Sequence, residues 1–148
     1  MKQTALPLSY RFLVASAGRA KRYSYSPYSR FRVGAALLTN DGRVYTGCNI
    51  ENSSYGLTVC AERTAVFKAV SEGAKRFKAI AVVSDSPDIT PPCGACRQVL
   101  LELAHDADVI LVSGREKCKI VKMKELFPLP FSRESLMAGR GRTRGARR

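Results

Sequence analysis

An α/β fold is predicted from the sequence: a three-layer α/β/α domain with one mixed sheet of about five strands between helices. Three features predict it. An amphipathic helical segment opens the chain, a hairpin signal follows, and the remainder alternates helix-forming segments with short apolar runs. At 148 residues and 45% hydrophobic content, the chain is sized for one compact domain that buries a full core without staples.

After Pro7, the apolar set Leu8, Phe12, Leu13, Ala15, Ala17 and Ala20 keeps roughly helical spacing between basic residues, predicting a first helix to about Tyr23. Ser26-Pro27-Tyr28-Ser29 breaks it. Apolar runs at 31–38 and 43–48 then flank Asn40-Asp41-Gly42, a hairpin signal. After the polar stretch 49–58, Cys60-Ala61-Glu62-Arg63-Thr64-Ala65-Val66-Phe67-Lys68-Ala69-Val70 predicts a second helix, ended by Gly73. Ala79-Ile80-Ala81-Val82-Val83 is apolar throughout, as expected of a strand covered on both faces. Pro91-Pro92 makes a rigid turn into a third helix over Cys93–Leu103, and strands follow at Val109–Val112 and, more weakly, Lys119–Val121.

The net charge of +13 suggests a polyanion partner until it is mapped. Residues 1–32 carry seven basic and no acidic residues, 133–148 carry six basic and one acidic, and the body between holds twelve against eleven. Basic ends on a neutral body read as a solvated helix face and a tail. The domain is accordingly placed at 1–136 and a disordered arginine-rich tail at 137–148, and no nucleic-acid partner is expected beyond a weak contact of that tail. The N-terminus Met1-Lys2-Gln3-Thr4 lacks the pattern of a secretory signal and no long apolar run is present, so a cytoplasmic protein without a membrane partner is expected. Five cysteines in such a compartment read as metal or redox chemistry, not as a disulfide framework.

Cys93-x-x-Cys96 alone suits a redox pair, half of a structural zinc site, or two ligands of a catalytic zinc. Cys60-Ala61-Glu62, also at a helix start, adds a third thiolate and an acid that can stand beside a metal without binding it. Zinc-dependent base deaminases carry this arrangement: a first His or Cys ligand, a Glu as acid and base, and a later Pro-Cys-x-x-Cys. Cys60, Cys93 and Cys96 are therefore the candidate ligands of one Zn²⁺ per subunit, with a fourth position left for a water whose pKa falls toward about 7. Glu62 is the candidate catalytic acid and base, although its place in a first helical turn also suits an ordinary helix acid. Three thiolates overbalance Zn²⁺, so positive charge should lie close by, from Arg63 and the two helix N-termini. Arg97 is either a solvated helix residue or part of the site, and His105, before Asp106, reads as a surface residue. Cys48 or Cys118 closing the tetrahedron would make the metal structural, but neither has short ligand spacing to another cysteine.

With these motifs and two upstream blocks, Ser26-Pro27-Tyr28-Ser29-x-Phe31-x-Val33-Gly34-Ala35-Ala36 and Gly47-Cys48-Asn49-Ile50-Glu51-Asn52, the chain resembles the small homotetrameric cytidine deaminases of pyrimidine salvage over about residues 10–136. The resemblance implies a nucleoside substrate, cytidine or 2′-deoxycytidine, and a homotetramer. It implies that Asn49 and Glu51 bond the ribose 3′-hydroxyl and that Phe31 stacks on the pyrimidine. The Ala61 N–H would meet the base carbonyl, and the carbonyl of Pro92 or Pro91 would accept from the exocyclic amine. Tyr55 and Phe131 would reach a neighbouring subunit's site. The alternatives are a deaminase of a modified cytosine nucleoside of the blasticidin S type, an RNA or DNA cytosine deaminase, and a structural zinc module without turnover.

Overall fold

The computed structural model describes residues 6–140; the segment Met1–Thr4 and residues 141–148 of the expected tail lie outside the described residues. Helix α1 (Leu8–Lys21) starts after Pro7, whose carbonyl accepts from Tyr10 and Arg11, and turns Tyr10, Leu13 and Ala17 inward at helical spacing. It ends two residues short of the expected Tyr23. Strands β1 (Val33–Thr39) and β2 (Val44–Cys48) form the predicted hairpin around residues 40–43, closed by the Thr39 N–H on the Arg43 carbonyl. Helix α2 (Ala61–Ser71), strand β3 (Phe77–Ser84), helix α3 (Gly94–Ala104), and strands β4 (Asp108–Val112) and β5 (Cys118–Lys122) follow in the predicted order.

The five strands form one mixed sheet in the order β2-β1-β3-β4-β5, antiparallel except for β3 and β4, which are parallel and joined through α3. On one face, α1 packs Tyr10, Leu13 and Ala17 on Ala36, Ala79, Ala81, Val83 and Ile110. On the other, α2 and α3 pack Ala65, Val66, Ala69 and Leu100 on Ala35, Leu37, Ile80, Val82 and Leu111. Successive residues of β3 thus serve opposite cores, which is why that run carries no polar alternation. The register sets Val33 beside Ser84, Gly34 beside Cys48, and Val83 beside Val112. The start of β1 and the ends of β2, β3 and β4 therefore share one rim, where α2 and α3 also begin.

Two glycines allow the helices to press on the sheet. A Cβ on Gly47 would stand 2.5 Å from the Ala65 nitrogen and 2.6 Å from the Ala61 carbonyl, so β2 lies directly against the first turns of α2. A Cβ on Gly34 would stand 2.1 Å from the Ala17 carbonyl and 2.5 Å from the Lys21 nitrogen. Both obstacles are helix backbone that cannot rotate aside. Gly34→Ala is expected to lower the unfolding free energy by about 3 kcal/mol or more, read as a fall in denaturant midpoint at unchanged m-value. An unchanged midpoint would mean that α1 does not seat on β1 in this way.

The C-terminal region departs from expectation. A short helix α4 (Met123–Leu126) continues from β5, and helix α5 (Arg133–Arg140) runs through the boundary placed at 136. Residues 137–140, assigned to a disordered tail, are helical. The physical reason is local: the Ser132 hydroxyl accepts from the Ser135 N–H, its carbonyl accepts from Leu136, and Glu134, Leu136, Met137 and Ala138 suit a helix. No helix among the described residues is long and apolar enough to cross a membrane.

Candidate active site

The rim of the sheet gathers three thiols from two helix starts. Cys60 is the N-cap of α2 and Cys93 the N-cap of α3, each with an extended backbone, and Cys96 lies in the first turn of α3. Their Sγ atoms all lie within 4.8 Å of one another, and Cys60 and Cys93 are 3.8 Å apart. Ligands about 2.3 Å from a tetrahedral zinc stand about 3.8 Å apart, the separation that Cys60 and Cys93 already have, so the three thiols suit a zinc ion. The thiols already share charge unevenly. Hydrogen bonding from Cys96, with help from Arg63 and Cys93, brings Cys60 down to about 5, whereas Cys96 is pushed upward because it keeps its proton to donate to Cys60 and because it is buried. Cys48 donates to the Tyr23 carbonyl and Cys118 packs beside the α1 core, so neither joins the cluster.

Glu62, one residue into α2, is only 4% exposed. Burial pushes its carboxyl up to about 7, against the Cys96 thiol. That is far from the solvated helix acid that its position alone allowed. Arg63 turns the other way. Its Nη2 donates to the Thr58 carbonyl at 3.1 Å and reaches Cys60 Sγ at 3.7 Å, and its Nε is buried with no hydrogen-bond partner among the described residues. Arg97 is not a solvated residue: Nε donates to the Pro92 carbonyl at 2.7 Å and Nη1 to the Leu126 carbonyl at 2.8 Å. With Pro92 buried and engaged, the exposed Pro91 is the freer carbonyl of the two candidates. His105 pairs with Asp106 at the surface, as expected.

The segment carrying Asn49 and Glu51 is held between two others. Asn49 and Glu51 exchange backbone bonds with Tyr25, and Ile50 does so with Val59, the residue before Cys60. Buried Asn49 accepts at Oδ1 from Ser24 Oγ (2.5 Å) and the Val33 N–H (2.9 Å) and donates from Nδ2 to the Phe31 carbonyl (2.8 Å), leaving one Nδ2 proton for a ligand. Glu51 Oε2 accepts the Tyr28 and Ser29 N–H groups, and its carboxyl is held below its ordinary range chiefly by the Ser29 hydroxyl. Phe31 stands two residues before β1, in the loop and not on the strand.

A cavity of about 310 Å³ is lined by Tyr28, Ser29, Glu51, Tyr55 and Thr58. Tyr55 and Tyr28 meet edge to face, their ring centres 5.8 Å apart. Tyr28, Ser29 and Thr58, which line the cavity beside Glu51 and Tyr55, are not singled out by the sequence, and the lining includes neither Phe31 nor the thiol cluster. Tyr28 and Ser29 stood inside the block Ser26–Ser29, read only as a helix breaker and a family match. Phe131 does not line this cavity; its carbonyl accepts from Gln98 Nε2 and the residue is 61% exposed. Ala61, the first residue of α2, directly follows Cys60 and is buried in the core.

Helices on both faces of a mixed sheet, three thiols at two helix N-termini and a buried acid beside them define a class of zinc protein whose metal keeps one position for chemistry. The family model described as the cytidine and deoxycytidylate deaminase zinc-binding region matches residues 9–113, and the chain belongs to that family. It is 50% identical over 125 residues to a cytidine deaminase of Sporosarcina psychrophila, covering 84% of this chain and 92% of that one. With a cytidine deaminase of Halalkalibacterium halodurans it shares 51% over 127 residues, covering 85% and 96%. The crystal structure of a cytidine deaminase from Burkholderia pseudomallei superposes with a TM-score of 0.80 at 46% identity, covering 82% of this chain and 98% of that one. A blasticidin-S deaminase of Bacillus cereus is more distant, at 34% over 113 residues.

Proposed function

We propose that this chain hydrolyses cytidine and 2′-deoxycytidine to uridine and 2′-deoxyuridine, releasing ammonia, with one zinc per subunit held by Cys60, Cys93 and Cys96. The observation that carries this reading is the buried Glu62 carboxyl beside three clustered thiols. Zinc, when bound, supplies a Lewis acid that makes water acidic enough to deliver a nucleophile near neutral pH. Glu62 would take a proton from the attacking water and pass it to N3 as the C4–O bond forms, then take the remaining proton of the new C4 hydroxyl and pass it to the amine, so that the C4–N bond breaks, ammonia leaves and the C4 carbonyl forms. A carboxyl raised to about 7 suits both halves of the task. Three thiolates and Zn²⁺ sum to a charge of about −1, which Arg63, reaching Cys60, offsets.

In this reading Phe31 stacks on the pyrimidine, the Ala61 N–H meets the base carbonyl, and the Pro91 carbonyl receives the exocyclic amine. The 3′-hydroxyl falls to Glu51 and to the remaining Nδ2 proton of Asn49. A homotetramer is the proposed catalytic unit. It is supported by the apolar groups around the site mouth and the C-terminal segment, Tyr55 at 75% exposure, Leu129 at 91% and Phe131, which a neighbouring subunit would cover. The cytoplasm is the proposed compartment, because five free cysteines and a thiolate metal site suit reducing conditions.

The test is ammonia release from cytidine, 2′-deoxycytidine, cytosine, dCMP, blasticidin S and a cytosine-containing oligonucleotide. The two nucleosides are expected to react and the others to lag by at least about 10²-fold in kcat/KM. Turnover of blasticidin S or the oligonucleotide with cytidine untouched would overturn the substrate assignment.

A further inference from the structure

The residues assigned to the sugar do not stand free of those assigned to the base. Ser29 Oγ donates to Glu51 Oε1 and accepts the Phe31 N–H at 3.0 Å. Asn49 Nδ2 holds the Phe31 carbonyl at 2.8 Å. Both backbone polar groups of Phe31 therefore end on side chains at the sugar end of the site. Between Ser29 and Phe31, Arg30 has a φ of +56°, a left-handed conformation that a residue with a Cβ enters only at a cost. Such a turn is not the local preference of the chain; it persists because surrounding bonds over-determine it. The Arg30 N–H on the Ser26 carbonyl closes the turn, and the Glu51 bonds to Tyr28, Ser29 and the Ser29 hydroxyl brace it. Ser29 is itself exposed and lines the cavity with Glu51, so it belongs to the site and not to the core.

We propose that Ser29 is a positioning residue that couples sugar recognition at Glu51 to the placement of the Phe31 ring, and so helps to set specificity for a sugar that carries a 3′-hydroxyl. The proposal rests on the nucleoside reading above. A carboxylate offers about four acceptor positions. The Tyr28 N–H, the Ser29 N–H and the Ser29 hydroxyl take three, which leaves one for a sugar hydroxyl. A hydroxyl bound there fixes the carboxylate, the carboxylate fixes the rotor of Ser29, and the Ser29 lone pair fixes the Phe31 N–H. With Ser29 Oγ removed, Glu51 keeps two backbone donors and still meets the sugar, but the contact no longer reaches Phe31. The sugar and the base are then read separately.

The test is a cycle of enzyme and substrate: kcat/KM for cytidine and 3′-deoxycytidine with the wild type, Ser29→Ala and Ser29→Thr, with zinc content and melting temperature on the same samples. Ser29→Ala is expected to lower kcat/KM for cytidine about 10-fold, chiefly through KM. The penalty for removing the 3′-hydroxyl should shrink at least about threefold relative to the wild type. Ser29→Thr, which keeps the oxygen, should restore both. Equal 3′-hydroxyl penalties in the wild type and Ser29→Ala, in enzymes active on cytidine, would overturn the coupling alone and leave Ser29 a turn former. A zinc-loaded wild type inert toward cytidine would overturn the nucleoside reading and the coupling with it.

Discussion

Glu62→Gln is expected to retain one zinc per chain and to lower kcat with cytidine by at least about 10²-fold, with KM changed only a few-fold. Glutamine matches the carboxyl in shape and can hydrogen-bond a bound pyrimidine, so binding should survive. It cannot take a proton and return it, and nothing else among the groups surrounding the thiols is placed to do so: Arg63 stays protonated and is pledged to Thr58 and Cys60. The burial that raises the Glu62 carboxyl to about 7 would be a plain loss of stability if the group were only structural. Measured zinc stoichiometry and steady-state kinetics settle the matter. A variant of near-normal rate would remove Glu62 from the role proposed for it, and a wild type with full zinc and no turnover on any of the cytosine substrates would favour a structural zinc module.

The second large effect concerns the metal. Cys96 is fully buried in the first turn of α3, and its replacement by alanine leaves two thiols where the metal needs three. Zinc content after dialysis is expected to fall from about one to below about 0.1 per chain, and turnover by at least about 10³-fold. Because a metal that binds only the folded chain adds its binding energy to folding, the melting temperature should fall as well. Chelation of the wild type should reproduce both losses, and added zinc should reverse them in the wild type but not in Cys96→Ala. Full zinc and normal turnover in Cys96→Ala would exclude this thiol from the metal site.

These two effects meet at one feature of the fold. Both ligand-bearing helices start at the same rim of the sheet, so their N-termini turn partial positive charge toward the thiolates. Arg63 adds a full charge from within α2, and Arg97 ties the Pro92 carbonyl, just before Cys93, to the end of α4. The arginine that follows each motif thus has a different task. Sequence position alone could not separate them, because each directly follows a candidate site residue in a first helical turn, Glu62 or Cys96.

The sequence by itself determined the elements from α1 to β5 and the metal chemistry, because both are written in local spacing, whereas the helices after β5 were not legible in it. Cys60 and Cys93 proved to be N-caps because a polar stretch precedes one and a proline pair the other, ahead of helix-forming runs. The run from Ala79 to Val83 proved to be covered on both faces because a strand with no polar alternation has no solvated side. Only the tertiary structure decided which loops meet. β1 pairs with both β2 and β3, which brings residues 25–32, 49–60 and 85–93 to one rim although they are far apart in the chain. From that meeting follow the cavity of Tyr28, Ser29, Glu51, Tyr55 and Thr58, the anchoring of Asn49 to Ser24 and Phe31, and the burial of Glu62. Periodicity reports which face of an element is apolar, but a side chain's partners and its pKa depend on what the sheet order carries to it from elsewhere in the chain.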